Sequence, residues 1–345
     1  MRIRSIAAGA SLAALLLSGS ANGQDTAALV RQCDMLASSP ADEQKPADIE
    51  GVGRGDIDKD KAIPACEAAL AASPDEPRMA FNLGRVLDAT KTDMPRSAEL
   101  YERAAQKDYV VAMLNLGVAY ENGLGKAKDV AQAVIWYRKA AEKGQVIAAT
   151  NLGVILDEGR GVPPDPAEAR KWFEFAVSKG DVQAMTSLGW MYDRGVAGLP
   201  MDHVKANELY QKAMEGGDLQ GMENFGESLI MGEGVAKDVA RGLQLVQQAH
   251  DGGNGMATYN LARYHATGEN LSLDRDQAAQ LYLQALERNS ADAKRELIEK
   301  RGRNLDPAML KRLQDEMGNR GMAFDRADDA LSDSAVAALQ GIVQE

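Results

Sequence analysis

NLGVILDEGRGVPPDPAEARKWFEFAVSKG, residues Asn151 to Gly180, contains one complete structural unit. Asp165-Pro166-Ala167-Glu168 is a helix start: an N-capping acid, a proline at the first helical position, and a capping-box acid three residues on. Such a cap is worth about 1 kcal/mol. Ala169, Trp172, Phe173, Ala176 and Val177 then recur at helical spacing, and Gly180 offers the left-handed conformation that ends a helix. Upstream, Asn151-Leu152-Gly153 sits inside an earlier apolar segment, which Glu158-Gly159-Arg160-Gly161-Val162 joins to the capped helix. The stretch therefore predicts two helices connected by a glycine loop.

Working outward, the unit repeats. The residues matching Gly153 are Gly84, Gly117, Gly189, Gly226 and Ala262, and the six are spaced by 33, 36, 36, 37 and 36. A capping acid follows each: Asp93, Asp129, Asp165, Asp202, Asp238 and Asp274. Fifteen residues after each acid stands Asp108, Gly144, Gly180, Gly217, Gly253 or Asn289. The apolar set is kept as well, with Ala133, Trp136, Tyr137, Ala140 and Ala141 in one unit and Ala206, Leu209, Tyr210, Ala213 and Met214 in another. A glycine in mid-helix costs about 1 kcal/mol relative to alanine. Its recurrence implies a recurring gain, expected to be close helix crossing.

Leu152-Gly153, Glu158-Gly159-Arg160-Gly161-Val162 and Ala169-Arg170-Lys171-Trp172-Phe173 resemble the Sel-1-like repeat, a relative of the tetratricopeptide repeat. The likeness covers residues 78–290 in six units. It implies an all-α fold, a right-handed α-solenoid of antiparallel helix pairs. It also implies a protein-binding role of the kind such repeats have in envelope assembly, signalling and virulence. The end units depart from the pattern: no loop glycines stand between Gly84 and Asp93, and the last unit has Ala262 and Asn289. Atypical ends are expected where a solenoid must be capped.

The flanks carry the compartment. Met1-Arg2-Ile3-Arg4 is basic, Ile6 to Leu17 is an apolar run of 12 residues, and Ser18 to Gly23 are small. This order predicts a signal peptide over 1–23, cleaved after Ala21 or Gly23, and a periplasmic or secreted chain. The run is shorter than the roughly 20 residues of a membrane span, so no membrane insertion is expected. Residues 24–77 are expected to form a helical N-terminal cap, with helices over 25–38 and 62–72 and a loop over 39–59. Cys33 and Cys66 are the only cysteines, and an isolated pair in an oxidising compartment points to a disulfide. Residues 291–345 form a helical extension in which 291–300 could begin a seventh unit. Leu310, Leu313-Gln314, Met317, Gly321 and Val336-Ala337-Ala338-Leu339 are faintly similar to a peptidoglycan-binding domain. Its Asp-Gly turn is missing, since Asp329 precedes Ala330.

Lys and Arg total 39 against 51 Asp and Glu, a net charge of −12 that deepens by two once Arg2 and Arg4 are removed. Such a surface disfavours nucleic acid and anionic membranes. The expected partner is a protein or peptide, with peptidoglycan a further candidate for the tail. Asn82, Asn115, Asn151, Asn224 and Asn260, with Ser187 in the remaining unit, stand two residues before the helical anchors. In this class of repeat those helices line the concave face. A row of amides, each a donor and an acceptor, could clamp an extended peptide, or could belong to the fold by bonding the next repeat. Asp88, Glu121, Asp157 and Asp193 form a second row, able to select a basic partner or simply to face solvent.

Other chemistry is sparse. Asp56, Asp58, Asp60 and Glu67 imitate a calcium loop, but Lys61 occupies the glycine position, and helix capping before Ala62 is the better account. His203, His250 and His265 fall in different units, with His250 expected to be packed and His203 exposed. No Ser-x-x-Lys, Gly-x-Ser-x-Gly or His-Glu-x-x-His motif occurs, so no catalytic residue, metal or cofactor is assigned. The expected function is a non-enzymatic periplasmic adaptor in envelope assembly or signalling. The alternative is a peptidoglycan- or β-lactam-binding repeat protein with hydrolase activity.

Overall fold

The structure, a computed structural model, describes residues 14–343. Among the described residues all regular structure is helical. Most of the expected leader lies outside them. The first helix, α1 (Ala14–Ala37), starts well before Asp25, because Ala14-Leu15-Leu16-Leu17 are strong helix formers. It pairs with α2 (Lys59–Ala72) through the Cys33–Cys66 disulfide, and both cysteines are fully buried. Residues 38–58 between them are turns and one short 3₁₀ segment, as the Pro, Gly and Asp content suggests.

The repeats follow as antiparallel pairs: α3 (Pro77–Ala89) with α4 (Met94–Ala105), and α5 (Val110–Asn122) with α6 (Val130–Glu142). Then come α7 (Val146–Glu158) and α8 (Pro166–Ser178), within which the chain divides into two compact units, up to Trp172 and from Phe173. The second unit holds α9 (Val182–Arg194) with α10 (His203–Glu215), α11 (Leu219–Met231) with α12 (Val239–Asp251), and α13 (Gly255–Thr267) with α14 (Arg275–Glu287).

Local chemistry sets the boundaries. All six capping acids accept from the backbone N–H three residues on: Asp93 from Arg96, Asp129 from Gln132, Asp165 from Glu168, Asp202 from Lys205, Asp238 from Arg241 and Asp274 from Gln277, at 2.9–3.1 Å. The six stop residues all have positive φ, from 62° at Asn289 to 98° at Gly253. Inside each pair the anchor glycine is used for contact. A Cβ on Gly117 would lie 2.5 Å from the Tyr137 ring, and one on Gly189 2.7 Å from the Tyr210 ring. The expected close crossing is thus, in these pairs, a tyrosine laid flat on a helix backbone. Small residues four after the capping acid complete the approach, with Ala133, Ala169, Ala206 and Ala278 all fully buried.

In α11–α12 the approach is closer still, because Gly242 takes that alanine position. A Cβ there would meet the Gly226 carbonyl at 2.5 Å and the Ile230 Cγ1 at 2.6 Å. Gly242→Ala gains about 1 kcal/mol of helix propensity, yet the clash with a neighbouring backbone outweighs it. A net loss of about 2 kcal/mol is expected in urea unfolding. An unchanged or raised midpoint contradicts the close crossing.

After α14, a short helix α15 (Ala291–Lys294) runs into a π-turn, Arg295–Glu299, and α16 (Pro307–Asn319) packs back on α14. The family-like repeat pattern read from the sequence ends at Ser290, and beyond it α15 packs on α13 and α14 while α16 packs on α14. The residues read as peptidoglycan-domain signals, Leu310, Leu313, Met317 and Leu339, are buried in one core with Leu283 and Leu286 of α14. Together with α17 (Asp333–Gln340), the extension covers the end of the second unit.

Candidate functional site

In three repeats the anchor glycine, a tyrosine packed on it and an acid four residues after the glycine form a constellation: Gly84, Tyr101 and Asp88, then Gly117, Tyr137 and Glu121, and in the second unit Gly189, Tyr210 and Asp193. In the first unit, Tyr101 donates to Asp88 at 3.1 Å and Tyr137 to Glu121 at 2.7 Å. Burial, with the adjacent carboxylate, drives both phenols far above their ordinary pKa, so they stay protonated donors. Each acid also receives a cation: Arg54 reaches Asp88 at 2.6 Å and Arg160 reaches Glu121 at 3.0 Å. In the second unit Asp193 pairs with His203 at 2.7 Å. The acidic row is therefore not a free stripe selecting a basic partner, nor a solvated face, because Asp88, Glu121 and Asp193 are engaged within the fold. Among the described residues no such cation meets Asp157, and burial followed by repulsion from Glu158 raises its pKa.

The amide row divides. Asn82 is fully buried and donates to Asp34 Oδ1 at 3.0 Å, inside the interface with the N-terminal cap. Asn260 is 8% exposed and donates to Glu223 at 2.7 Å. These two members of the expected partner-binding row are structural, since the terminal repeats cover them with the cap and with α11. Asn115, Asn151 and Asn224 remain half-exposed. Asn151 lies beside the Tyr137 hydroxyl, and Asn224 accepts from Gln220 at 3.0 Å and lies beside Tyr210. Asn115 has no hydrogen-bond partner among the described residues, and it lines a cavity of about 270 Å³ with Arg54, Asp88, Tyr101, Val118 and Leu124.

Residues flanking the amides share their period. Val118 and Val154 stand three positions after Asn115 and Asn151 and are half-exposed, and Trp190, three after Ser187, is 41% exposed. The amide spacing alone did not reveal this apolar companion row, although the same period carries it.

The remaining candidates resolve locally. Asp58 caps α2, accepting from Asp60 and Lys61 N–H, and forms an ion pair with the Lys61 ammonium at 2.8 Å, while Glu67 pairs with Arg96 at 2.7 Å. That is the capping account of the pseudo-calcium loop. His250 is half-buried, bonded to Thr258 at 3.0 Å, and lowered in pKa by burial and then by Arg288. His203 is less exposed than expected, since Asp193 holds its ring.

Antiparallel pairs of short helices with glycine loops define a helical repeat of the tetratricopeptide-like class. A family model, the Sel1 repeat, matches six consecutive segments, residues 77–109, 110–145, 146–181, 182–218, 221–254 and 255–290, so the chain belongs to the Sel1 repeat family. No curated protein sequence matches it. Among solved structures it is similar to a Sel1 repeat protein from Oxalobacter formigenes, at 26% identity and a TM-score of 0.57, covering 64% of this chain and 92% of that one. It is also similar to a protective antigen of uropathogenic Escherichia coli strains displaying an SLR fold, at 27% identity and a TM-score of 0.56. That match covers 81% of this chain and 63% of the antigen. The fold is a protein-interaction scaffold, generally non-enzymatic, and Sel1 repeat proteins bind protein partners. No described helix is long and apolar enough to cross a membrane.

Proposed function

We propose that this chain is a non-enzymatic adaptor of the bacterial periplasm that holds an extended peptide segment of a partner protein in envelope assembly or signalling. The observation that carries the reading is Asn115. A half-exposed amide with no hydrogen bond among the described residues opens into a cavity beside a tyrosine, a carboxylate and Val118. Asn151 and Val154 repeat the amide and the aliphatic contact one unit on. Amides of this kind can accept a peptide N–H and donate to its carbonyl, while the valines take its side chains.

The test is affinity capture from envelope extract by the parent chain and by a variant with Asn115, Asn151 and Asn224 changed to Ala, both first matched in helical content and melting temperature. Each peptide hydrogen bond is worth about 1 kcal/mol net, so the variant should hold the partner at least about tenfold more weakly. Equal capture by both chains moves binding off the amide row. Mass measurement of the exported protein tests the compartment, because a chain that keeps Met1 to Gly23 contradicts the leader.

A further inference from the structure

In the second unit one corner departs from the repeat in a way that calls for a cation. The first unit shows the ordinary arrangement: Glu121, four residues after the anchor Gly117, is met by Arg160 from the following glycine loop at 3.0 Å. The next residue, Gly161, presses on Val130 at the start of α6. The matching positions in the second unit are Asp193, Glu233, Gly234 and His203. Here the loop brings a second carboxylate where the sister corner has a guanidinium, and the helix start brings an imidazole in place of valine.

The three are drawn together. Gly234, at φ 65°, lies so close to His203 that a Cβ would fall 2.4 Å from its backbone carbon. This contact seats the loop on α10. One ligand atom each from Asp193, His203 and Glu233 lies within 4.8 Å of the others, and His203 Nδ1 is 2.7 Å from Asp193 Oδ1. Arg194 meets Asp193 only at 3.9 Å, with its own side chain 65% exposed. A separate observation comes from the residue that holds the same loop. Asn207, one helical turn after His203 and 5% exposed, donates to the Glu233 carbonyl at 2.7 Å, and its own Oδ1 has no partner. A buried acceptor without a donor is costly, and a water on a bound ion is one way to satisfy it.

We propose that Asp193, His203 and Glu233 bind a divalent cation of the zinc type, with a water on the open position donating to Asn207. One imidazole and two carboxylates suit a borderline transition ion, whereas calcium asks for six to eight oxygens. Ligands about 2.1 Å from zinc stand roughly 3.0–3.4 Å apart, so the His203–Asp193 pair has only to open by a few tenths of an ångström. No sequence motif announces the site, because its ligands come from a helix end, a helix start and a loop of the next repeat.

The test is titration calorimetry of chelator-stripped full chain with zinc chloride, and separately with calcium chloride, alongside thermal melts. One zinc per chain, no calcium heat and a melt raised by zinc are expected. His203→Val and Glu233→Arg restore the sister corner and should fold as the parent does, yet weaken zinc binding at least tenfold. His265→Gln should leave it unchanged. Absence of zinc heat in the parent, or equal zinc affinity in Glu233→Arg, overturns the proposal.

Discussion

Replacing Cys33 and Cys66 by Ala should cost the first unit about 3 to 4 kcal/mol, the value loop-closure entropy assigns to a bond across 33 residues. Alanine is the informative substitution, because both sites are fully buried and a serine hydroxyl there adds its own desolvation cost. The loss should spread by contact. α1 and the loop after it hold the first repeat through Asp34 with Arg78 at 3.0 Å, Asp34 with Asn82, the Ala37 carbonyl with Arg85 at 2.9 Å, and Asp42 with Tyr109. Loosening the cap therefore uncovers Asn82 and Arg85, which are buried only because the cap is there. Terminal units of a repeat array are the ones that fray. Hydrogen exchange should show protection falling from residue 25 to about residue 105 and persisting in 182–340. Protection unchanged throughout, or two free thiols in the exported protein, contradicts this account.

Which features were legible in the sequence follows from how far apart the interacting residues lie. The capping acids act on an N–H three residues away, and the stop residues act through their own φ, so a linear reading places all six of each. The Asp58 cap was equally readable and displaced calcium for that reason. The site was half-legible. The period located the amides, but burial of Asn82 depends on Asp34, 48 residues away, and that of Asn260 on Glu223, 37 residues away. The acidic row was misread for the same cause, since its cations arrive from other elements, Arg54 from the cap loop and Arg160 from the next repeat. A usable signal did exist: a tyrosine recurs beside each engaged acid, at Tyr101, Tyr137 and Tyr210.

Glu223→Gln should stabilise the second unit at neutral and alkaline pH and leave it nearly unchanged in acid. Glu223 is 2% exposed, and burial, reinforced by Glu227, pushes its carboxyl up to about 8 against an ordinary 4.5. Hydrogen bonds from Asn260 at 2.7 Å and Gln220 at 2.8 Å pull it down without cancelling that push. Folding therefore favours the protonated acid. Its benefit is complete below about pH 4.5, erodes as the unfolded chain ionises, and is gone once the pH has risen past about 8. At 1.36 kcal/mol per unit, the wild-type chain gives up on the order of 3 kcal/mol by pH 7 and 4 to 5 above pH 8. A glutamine stays neutral throughout. Its carbonyl can take one donor, and Asn260 can rotate its own carbonyl toward the new NH₂, so packing survives the change. Melts of parent and variant should coincide near pH 4 and separate steadily toward pH 8, with the variant higher. A constant gap at every pH assigns the effect to packing, and a variant that melts lower at pH 8 means that Glu223 is held as a stabilised anion.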